Sequence, residues 1–442
     1  MDREKVLLVR APNLYKSEQW KKQGVLRTPT NLALLSSYIR EKGAYEPEVL
    51  DLELYDFKSI PQVAEKILSK NAKYVGFSTL TPRFPTITRI CRDLKKANKD
   101  LVTMVGGPHI TGRPQDCKYE GIDYGILGEG EEAFLKLLNS LESKQDVTKT
   151  PNLAYKENGK VMTNPKTAFI KDLDALPRPA WDLLDLKKYK DPAFFGEEPH
   201  AGIFTTRGCP YDCIFCASKV TWERKLRFHS IDNVIEEFGT LSKKGINNLY
   251  FYDDQFAVKP QRAIELGKRM ISSGLNMKYI VQIRADSVNQ ELAHTLKESG
   301  CLSAAIGVET GNEEMLKVIK KKETKDEIRN AVKILKDEGV PITTSYVLGL
   351  PGDTHETLQQ TLDFAKELNT EQMKFMLLTP VPGTEAYRMA VEKGLLDPDD
   401  LEQMEKTTYY DKTEINLSSV TIPELLHYQD LAYKLLDERL IP

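Results

Sequence analysis

Apolar residues in this chain gather into short runs, with helically patterned polar stretches between them. Five runs stand out before residue 145: "KVLLVR" (5–10), "PEVLDLE" (47–53), "KYVGFST" (73–79), "LVTMVGG" (101–107) and "YGILGEG" (124–130). Runs of this length bounded by turn residues predict strands. Between the first two, "NLALLSSYIREKG" places Leu32, Leu35 and Ile39 on one helical face and ends at Gly43. Strands alternating with amphipathic helices predict a parallel sheet covered on both faces. Such sheets take ligands at the carboxyl ends of their strands. Those ends read "FSTLTP", "GGPHITG" and "GEGEE".

Residues 146–201 break the rhythm with Pro151, Asn158-Gly159, Pro165, Pro177, Pro179, Pro192 and Pro199. They predict a linker with a small hairpin at 152–163. The alternation resumes with six runs: "GIFTTRG" (202–208), "NNLYFYDD" (247–254), "KYIVQIR" (278–284), "SAAIGVE" (303–309), "ITTSYVLGL" (342–350) and "KFMLLTP" (374–380). Six strand–helix units predict an incomplete barrel open on one side, or else a second open sheet. From Ala386 the chain is helical in pattern, with twelve acidic residues against six basic. The organisation expected is therefore a doubly wound α/β domain (1–145), the linker (146–201), a partial barrel (202–385) and a short helical C-terminal region (386–442).

Composition narrows the function. A chain of 442 residues, 40% hydrophobic and 29% charged, is ordinary for a globular protein. A net charge of -3 and an acidic tail offer no bulk attraction to nucleic acid. The start "MDREKVLLVR" lacks a signal peptide's apolar core, and no run reaches the ~20 apolar residues of a membrane span. A cytoplasmic setting is expected, in which clustered cysteines serve metal or catalysis.

Three of the six cysteines fall in "TTRGCPYDCIFCAS", as Cys209, Cys213 and Cys216. Structural zinc takes four ligands. No fourth cysteine is near, and His229 lies thirteen residues beyond Cys216. A packed core of three thiols is disfavoured on a loop holding Pro210 and Asp212. The spacing points to an iron–sulfur cube held by three thiolates, with one iron left open.

With Phe215 ahead of the last cysteine, the C-x3-C-x-Φ-C pattern resembles the radical S-adenosylmethionine superfamily. The resemblance implies a [4Fe-4S] cluster whose open iron chelates S-adenosylmethionine and breaks it, after one-electron reduction, to a 5'-deoxyadenosyl radical. It implies an external reductant of the flavodoxin or ferredoxin type. It also assigns strand-end residues to the cofactor: Asp253 or Asp254 of "YFYDDQF" to the amino group, Arg284 of "QIRAD" to the carboxylate and Glu309 of "GVETG" to the ribose. Backbone at Leu348 and Gly349 of "YVLGLPGD" would meet the adenine, with Asp353 ending that segment.

The first half shows no G-x-G-x-x-G after its first strand and no phosphate-binding G-x-x-x-x-G-K-[ST]. Its strand ends resemble the cobalamin-binding domain that precedes many radical S-adenosylmethionine enzymes. The resemblance covers residues 1 to 385 in the same order, and implies cobalamin. Gly106, Gly107, Gly128 and Gly130 would let the backbone approach the corrin. Ser78, Thr79 and Thr81 would offer hydroxyls, and Glu129 would accept from a corrin amide or cap its helix. Pro108 and His109 complete the "GGPH" loop. The D-x-H-x-x-G signature of cobalt-ligating histidines is missing, so His109 is placed beside the corrin without ligating cobalt.

The implied function is a cobalamin-dependent radical methyltransferase acting on an unactivated carbon, or a phosphinate phosphorus, of a small-molecule substrate. Cyclisation, oxidation or ring contraction by the same cofactors stays open. A methylthiotransferase would need three further cluster cysteines, where the first half holds only Cys91 and Cys117, and a basic RNA module, which is missing. A non-enzymatic iron–sulfur protein would leave the cofactor positions unexplained. Cys117 and Cys301 are expected to pack as small hydrophobes. Tyr252 and Tyr346 are candidate hydrogen donors, and "KVIKKKETK" (317–325) reads as a solvated helix end.

Overall fold

The computed structural model describes residues 3–12, 14, 26–408 and 412–437. Five parallel strands open the chain: β1 (Glu4–Arg10), β2 (Tyr45–Asp51), β3 (Tyr74–Ser78), β4 (Val102–Gly106) and β5 (Tyr124–Ile126). They lie in the order β2-β1-β3-β4-β5. In β1, Leu7 and Val9 enter one core while Val6 and Leu8 enter another, all at most 1% exposed. Two buried faces explain the unbroken apolar run, and each such side chain stabilises the fold by roughly 2 kcal/mol. The winding reverses between β1 and β3, which opens a crevice at their carboxyl ends. Two strands end two or more residues before their apolar runs do. After β2 a 3-10 turn, Leu52–Leu54, takes over as the Asp51 side chain accepts from the Glu53 N–H. After β5 the chain turns through Gly128 at φ 71°.

The expected linker, 146–201, is divided between two sheets. Its hairpin, β6 (Leu153–Glu157) and β7 (Lys160–Thr163), turns on Asn158 and Gly159 and pairs antiparallel with β5. At its far end β8 (Lys190–Asp191) and β9 (Gly196–Ile203) already belong to the second sheet. The barrel thus begins ahead of residue 202. The first half of β9, "GEEP", is largely exposed, so no apolar run marked it.

The second sheet continues from β9 through β12 (Asn248–Phe251), β13 (Lys278–Ile283), β14 (Cys301–Glu309), β15 (Ile342–Leu348) and β16 (Gln372–Leu377). These six strands are parallel and adjacent in chain order, with β8 antiparallel on the outer edge of β9. The sheet curls into a half-barrel: Lys374, on its last strand, feels the charge of Asp191 on its first. A separate two-stranded clasp, β10 (Thr206–Arg207) with β11 (Arg227–Phe228), follows β9.

The two halves are joined by direct bonds. At the start of the helix Thr30–Lys42, Thr28 accepts from the Gly202 N–H at 2.7 Å and Thr30 donates to the Gly202 carbonyl at 2.7 Å. Tyr189 donates to Asp51 at 2.7 Å. The tail is helical as expected and touches both halves. Arg89 of the first half makes a two-pronged bond to Glu405 at 2.8 and 2.9 Å. Gln429 and Tyr433, on the helix Ile422–Asp437, each donate to the Phe375 carbonyl at 2.9 Å and so cover the edge strand β16. Among the described residues no helix is long and apolar enough to cross a membrane.

Candidate functional site

The three clustered cysteines lie on the loop between β10 and the short helix Ser218–Trp222. Gly208 enters this loop at φ 94°, where a Cβ would come within 2.4 Å of the Lys225 carbonyl oxygen. Ile214 is the loop's anchor: it is 1% exposed, takes a hydrogen bond from Ala386 N–H at 3.0 Å and donates to the Ile319 carbonyl at 3.2 Å. Phe215 packs partly against the same core. Cys209, Cys213 and Cys216 are each half-buried on one turn, Cys216 N–H bonding the Cys213 carbonyl at 3.2 Å. Burial pushes all three thiols up, Cys216 to about 12. Thiols in such surroundings become thiolates only against strong positive charge, which an iron cluster supplies. Among the described residues no three metal-binding side chains converge on the position of a single ion.

The two adjacent aspartates after β12 have different duties. Asp253 is 1% exposed and its carboxylate is consumed: Oδ1 accepts from Thr205 N–H at 2.7 Å and Thr206 N–H at 2.8 Å, and Oδ2 from the Thr205 hydroxyl at 2.5 Å. It holds the strand that leads into the cysteine loop. Asp254 lies open in the recess beside Cys209 and Cys216, reachable by small molecules yet hemmed in by protein. That desolvation pushes its carboxyl up to about 6, against the pull of nearby Ser218.

Past β13, Arg284 is 6% exposed and stacks on Tyr211 of the cysteine loop, 3.6 Å from the ring centroid. It donates to Asp286 at 2.8 Å and to the Lys321 carbonyl at 2.9 Å. On β14 the register slips between Gly307 and Glu309, and Glu309 adopts φ 68°. Non-glycine residues rarely take this conformation, and such bulges re-aim side chains beside functional sites. Glu309 is thereby turned over Gly307, where a Cβ would lie 2.2 Å from its Oε1. Lys321 meets it at 3.1 Å and Glu323 at 3.3 Å. Lys321 is 5% exposed, so the lysine run is not wholly a solvated helix end. Although burial opposes it, Glu309 and Glu323 hold its ammonium above the usual lysine range.

Leu348 ends β15 fully buried, and Gly349 follows at φ 85°. Asp353 folds the loop, accepting from Gly349 N–H at 3.2 Å, Leu350 N–H at 2.9 Å and the Thr357 hydroxyl at 2.8 Å. Its carbonyl takes the Ser419 N–H and hydroxyl, both at 2.8 Å. The tail thus pins this loop from outside.

The strand ends of the first half and the segments flanking the cysteine loop of the second meet around one cavity of about 510 Å³. Ser78, Gly106, Gly107, Pro108, Gly128, Glu129 and Gly130 line it from the first half, with Leu8, Leu35, Met104 and Phe134 as apolar wall. Phe204, Arg207, Thr221 and Trp222 line it from the second. A broad, mostly apolar recess with small residues and a few polar groups fits a corrin. Asn31, which sequence patterns did not mark, donates to Ser78 at 3.0 Å on this lining. Arg207, also unmarked, bonds Glu131 at 2.5 Å and lies 3.4 Å from Glu129, which Arg227 meets at 2.7 Å.

Three residues expected at the corrin do not line this cavity. His109 is fully buried: Nε2 bonds Asp116 at 2.9 Å, Nδ1 lies 3.2 Å from the Thr81 hydroxyl, and the ring stacks on Phe84 at 4.1 Å. Thr81 is spent on that bond, and Thr79 donates to the Gly106 carbonyl at 2.7 Å. The requirement for glycine at Gly107, φ 101°, is internal too, since a Cβ would approach the Thr79 backbone at 2.8 Å. Tyr346 is fully buried and stacks on Phe375 at 4.7 Å, on the face of β15 away from the site. Cys91, Cys117 and Cys301 are buried, as small hydrophobes.

Comparison with known proteins agrees with this geometry. Residues 203–365 match the radical SAM superfamily and residues 25–138 the B12 binding domain. An uncharacterized methyltransferase of Pyrococcus horikoshii is 32% identical over 89% of this chain and 84% of its own length. An anaerobic magnesium-protoporphyrin IX monomethyl ester cyclase of Rubrivivax gelatinosus is 27% identical over 83% of this chain, which spans about two thirds (66%) of that relative. The fold matches that of the radical S-adenosylmethionine methyltransferase TsrM from Kitasatospora setae, solved with cobalamin and a [4Fe-4S] cluster. That match has a TM-score of 0.73 and 19% identity, over 88% of this chain and 78% of the other.

Proposed function

We propose a reaction from the premise that this chain belongs to the radical SAM superfamily, in the branch whose radical half follows a cobalamin-binding domain. The reading is methyl transfer to an unactivated carbon, or a phosphinate phosphorus, of a small molecule. The observation that carries it is the shared cavity, onto which the strand ends of the first half and the residues flanking the cysteine loop, Arg207, Thr221 and Trp222, open.

When bound, the [4Fe-4S] cluster, S-adenosylmethionine and cobalamin together supply radical formation and a transferable methyl group. The residues have separate tasks. Cys209, Cys213 and Cys216 would hold the cluster through their thiolates. Asp254 takes the cofactor's amino group, because Asp253 is buried and both of its oxygens are already engaged by Thr205 and Thr206. Glu309, aimed by the β14 bulge, accepts from ribose hydroxyls and is held in place by Lys321. Arg284 orients the cysteine loop through Tyr211 and adds positive charge near the cofactor carboxylate. Leu348 and Gly349 present backbone to the adenine, fixed by Asp353 and the tail. Ser78, Asn31 and the glycines at 106, 107, 128 and 130 receive the corrin, while the buried Arg207–Glu129–Glu131–Arg227 group closes the seam between halves. Phe204, Trp222 and the apolar wall exclude water from the reacting centre. Reduction falls to a flavodoxin- or ferredoxin-type donor in the cytoplasm.

Similarity to the cyclase favours a second reading, ring closure by the same cofactors. Anaerobic preparation followed by iron, sulfide and cobalamin analysis tests the cofactors. Cleavage of S-adenosylmethionine by wild type and Cys213→Ala tests the radical chemistry, and equal cleavage in both refutes it. Product mass separates the readings: a gain of one methylene is transfer, a loss of hydrogens is cyclisation.

A further inference from the structure

The concave face of the half-barrel carries charge that the tasks above leave unused. Residues alternate along its strands: Val281, Ile306 and Phe375 are buried against the outer helices, whereas Gln282 is exposed and Ser345 and Lys374 are half-buried. Helices cover the outer face, so the exposure of the second set reports open space on the inner one. The half-barrel is hollow beside Gln282, Ser345 and Lys374, while Tyr250 and Ile280 of the same face are covered.

Arg27, from the first half, enters this hollow. Its guanidinium carbon lies 3.3 Å from the centroid of the Tyr250 ring, and the residue also lines the shared cavity. Tyr250 belongs to the inward-facing cluster with Ile280 and Phe195. Lys374 reaches in from the last strand, close enough for Arg27 to depress its ammonium further below the usual range than burial alone does. Among the described residues no carboxylate forms an ion pair with Arg27 or Lys374. The neighbouring acid, Asp191, is committed to the Tyr250 hydroxyl and the Ala193 N–H.

His200 provides an independent observation. It is fully buried beside Tyr250, with ring centroids 5.1 Å apart, and neither ring nitrogen has a hydrogen-bond partner among the described residues. An imidazole stripped of water and left without partners costs free energy that a ligand can recover. Burial first, and Arg27 second, push it down to about 3, so it is neutral and can donate through one nitrogen.

We propose that this hollow seats an anionic oxygen head-group of the substrate, a carboxylate or a phosphoryl group, between Arg27 and Lys374, above the Tyr250 ring that His200 backs from within the protein. Two cations facing one recess repel each other, and an oxyanion placed between them turns that repulsion into two charge-assisted hydrogen bonds. The planar guanidinium, already stacked on Tyr250, keeps an edge free for a two-pronged bond. The identification of this ligand as the substrate rests on the reading in the preceding section; the anion site itself does not.

The test uses full-length holoenzyme prepared without oxygen. Inorganic phosphate and acetate are titrated separately at constant ionic strength while the unfolding midpoint is followed, and iron, sulfide and cobalamin are measured on the same samples. The expected result is a saturable rise with at least one anion. Its apparent affinity should fall about tenfold or more in Arg27→Gln and in Lys374→Met, and be largely kept in Lys374→Arg. Stronger binding of phosphate assigns a phosphoryl head, and stronger binding of acetate a carboxylate. No saturable shift with either anion in wild type overturns the proposal, as does wild-type affinity in either neutral variant. Missing iron or cobalamin with anion binding intact would instead count against the cofactor reading alone.

Discussion

Lys321 Nζ lies 3.1 Å from Glu309 Oε1 in an environment that leaves the lysine only 5% exposed. The pair joins the bulge on β14 to the turn that also receives Arg284, and Glu323 completes it at 3.3 Å. Removing one partner of a buried pair leaves an uncompensated charge, a loss of about 3–5 kcal/mol. Lys321→Met is therefore expected to lower stability by that order in urea unfolding. Lys321→Arg should recover most of it. A Lys321→Met protein as stable as wild type would show that the pair does not hold the site together.

The adjacent aspartates should separate cleanly. Asp254→Asn is expected to keep the fold and the iron content while weakening S-adenosylmethionine binding by about tenfold or more, measured by equilibrium dialysis. Asp253→Asn swaps one of the two acceptor oxygens for an NH2 donor, so that either the two backbone N–H groups or the Thr205 hydroxyl lose their acceptor. It should cost roughly 2 kcal/mol and reduce iron incorporation, because the strand feeding the cysteine loop loosens. The reverse pattern would reassign the two residues.

Acid should weaken the first domain through His109. Burial holds this imidazole below its ordinary range, against the opposing pull of Asp116. The unfolded chain takes up a proton below pH ~6.5 that the folded chain does not. The contribution is complete above that pH and is lost as pH falls through it. The urea midpoint should therefore drop between pH 7 and pH 5. His109→Gln should be less stable at pH 7 and flatter across the range; an unchanged slope would place the titration elsewhere.

The tail is expected to be required for cofactor binding. Ending the chain after residue 411 removes Ser419, Gln429 and Tyr433, which fix the Asp353 loop and cover the edge of β16. Loss of S-adenosylmethionine binding together with aggregation through the bared strand is the anticipated outcome. A truncated, monomeric protein that still binds the cofactor would assign the tail another role.

Much of the architecture could be read from apolar runs, because strands buried on both faces leave uninterrupted stretches such as "KVLLVR". The cysteine spacing was equally plain, since three cysteines within eight residues share one loop. Side-chain direction was not. Thr79, Thr81 and His109 sit at strand ends as ligand-binding residues do, yet all three turn inward, and one-residue spacing cannot reveal which face a loop residue takes. Lys321 was hidden inside a lysine run for a similar reason. Lys320 and Lys322 both adopt φ 56°, and these two reversals turn the middle lysine into the protein while Lys320 pairs with Glu385 near the surface. Asp253 and Asp254 are chemically identical in the sequence, and only the positions of Thr205 and Thr206 tell them apart.

Arg27 comes from one half of the chain and faces a chamber walled by the other. Neither module alone holds the complete lock that would choose among molecules entering it. Gene fusions that exchanged the front module between relatives would transplant part of the discrimination along with the corrin carrier, leaving the radical engine unaltered. Diversification in such a lineage need not wait for changes in the barrel; it can begin with a single guanidinium delivered from next door.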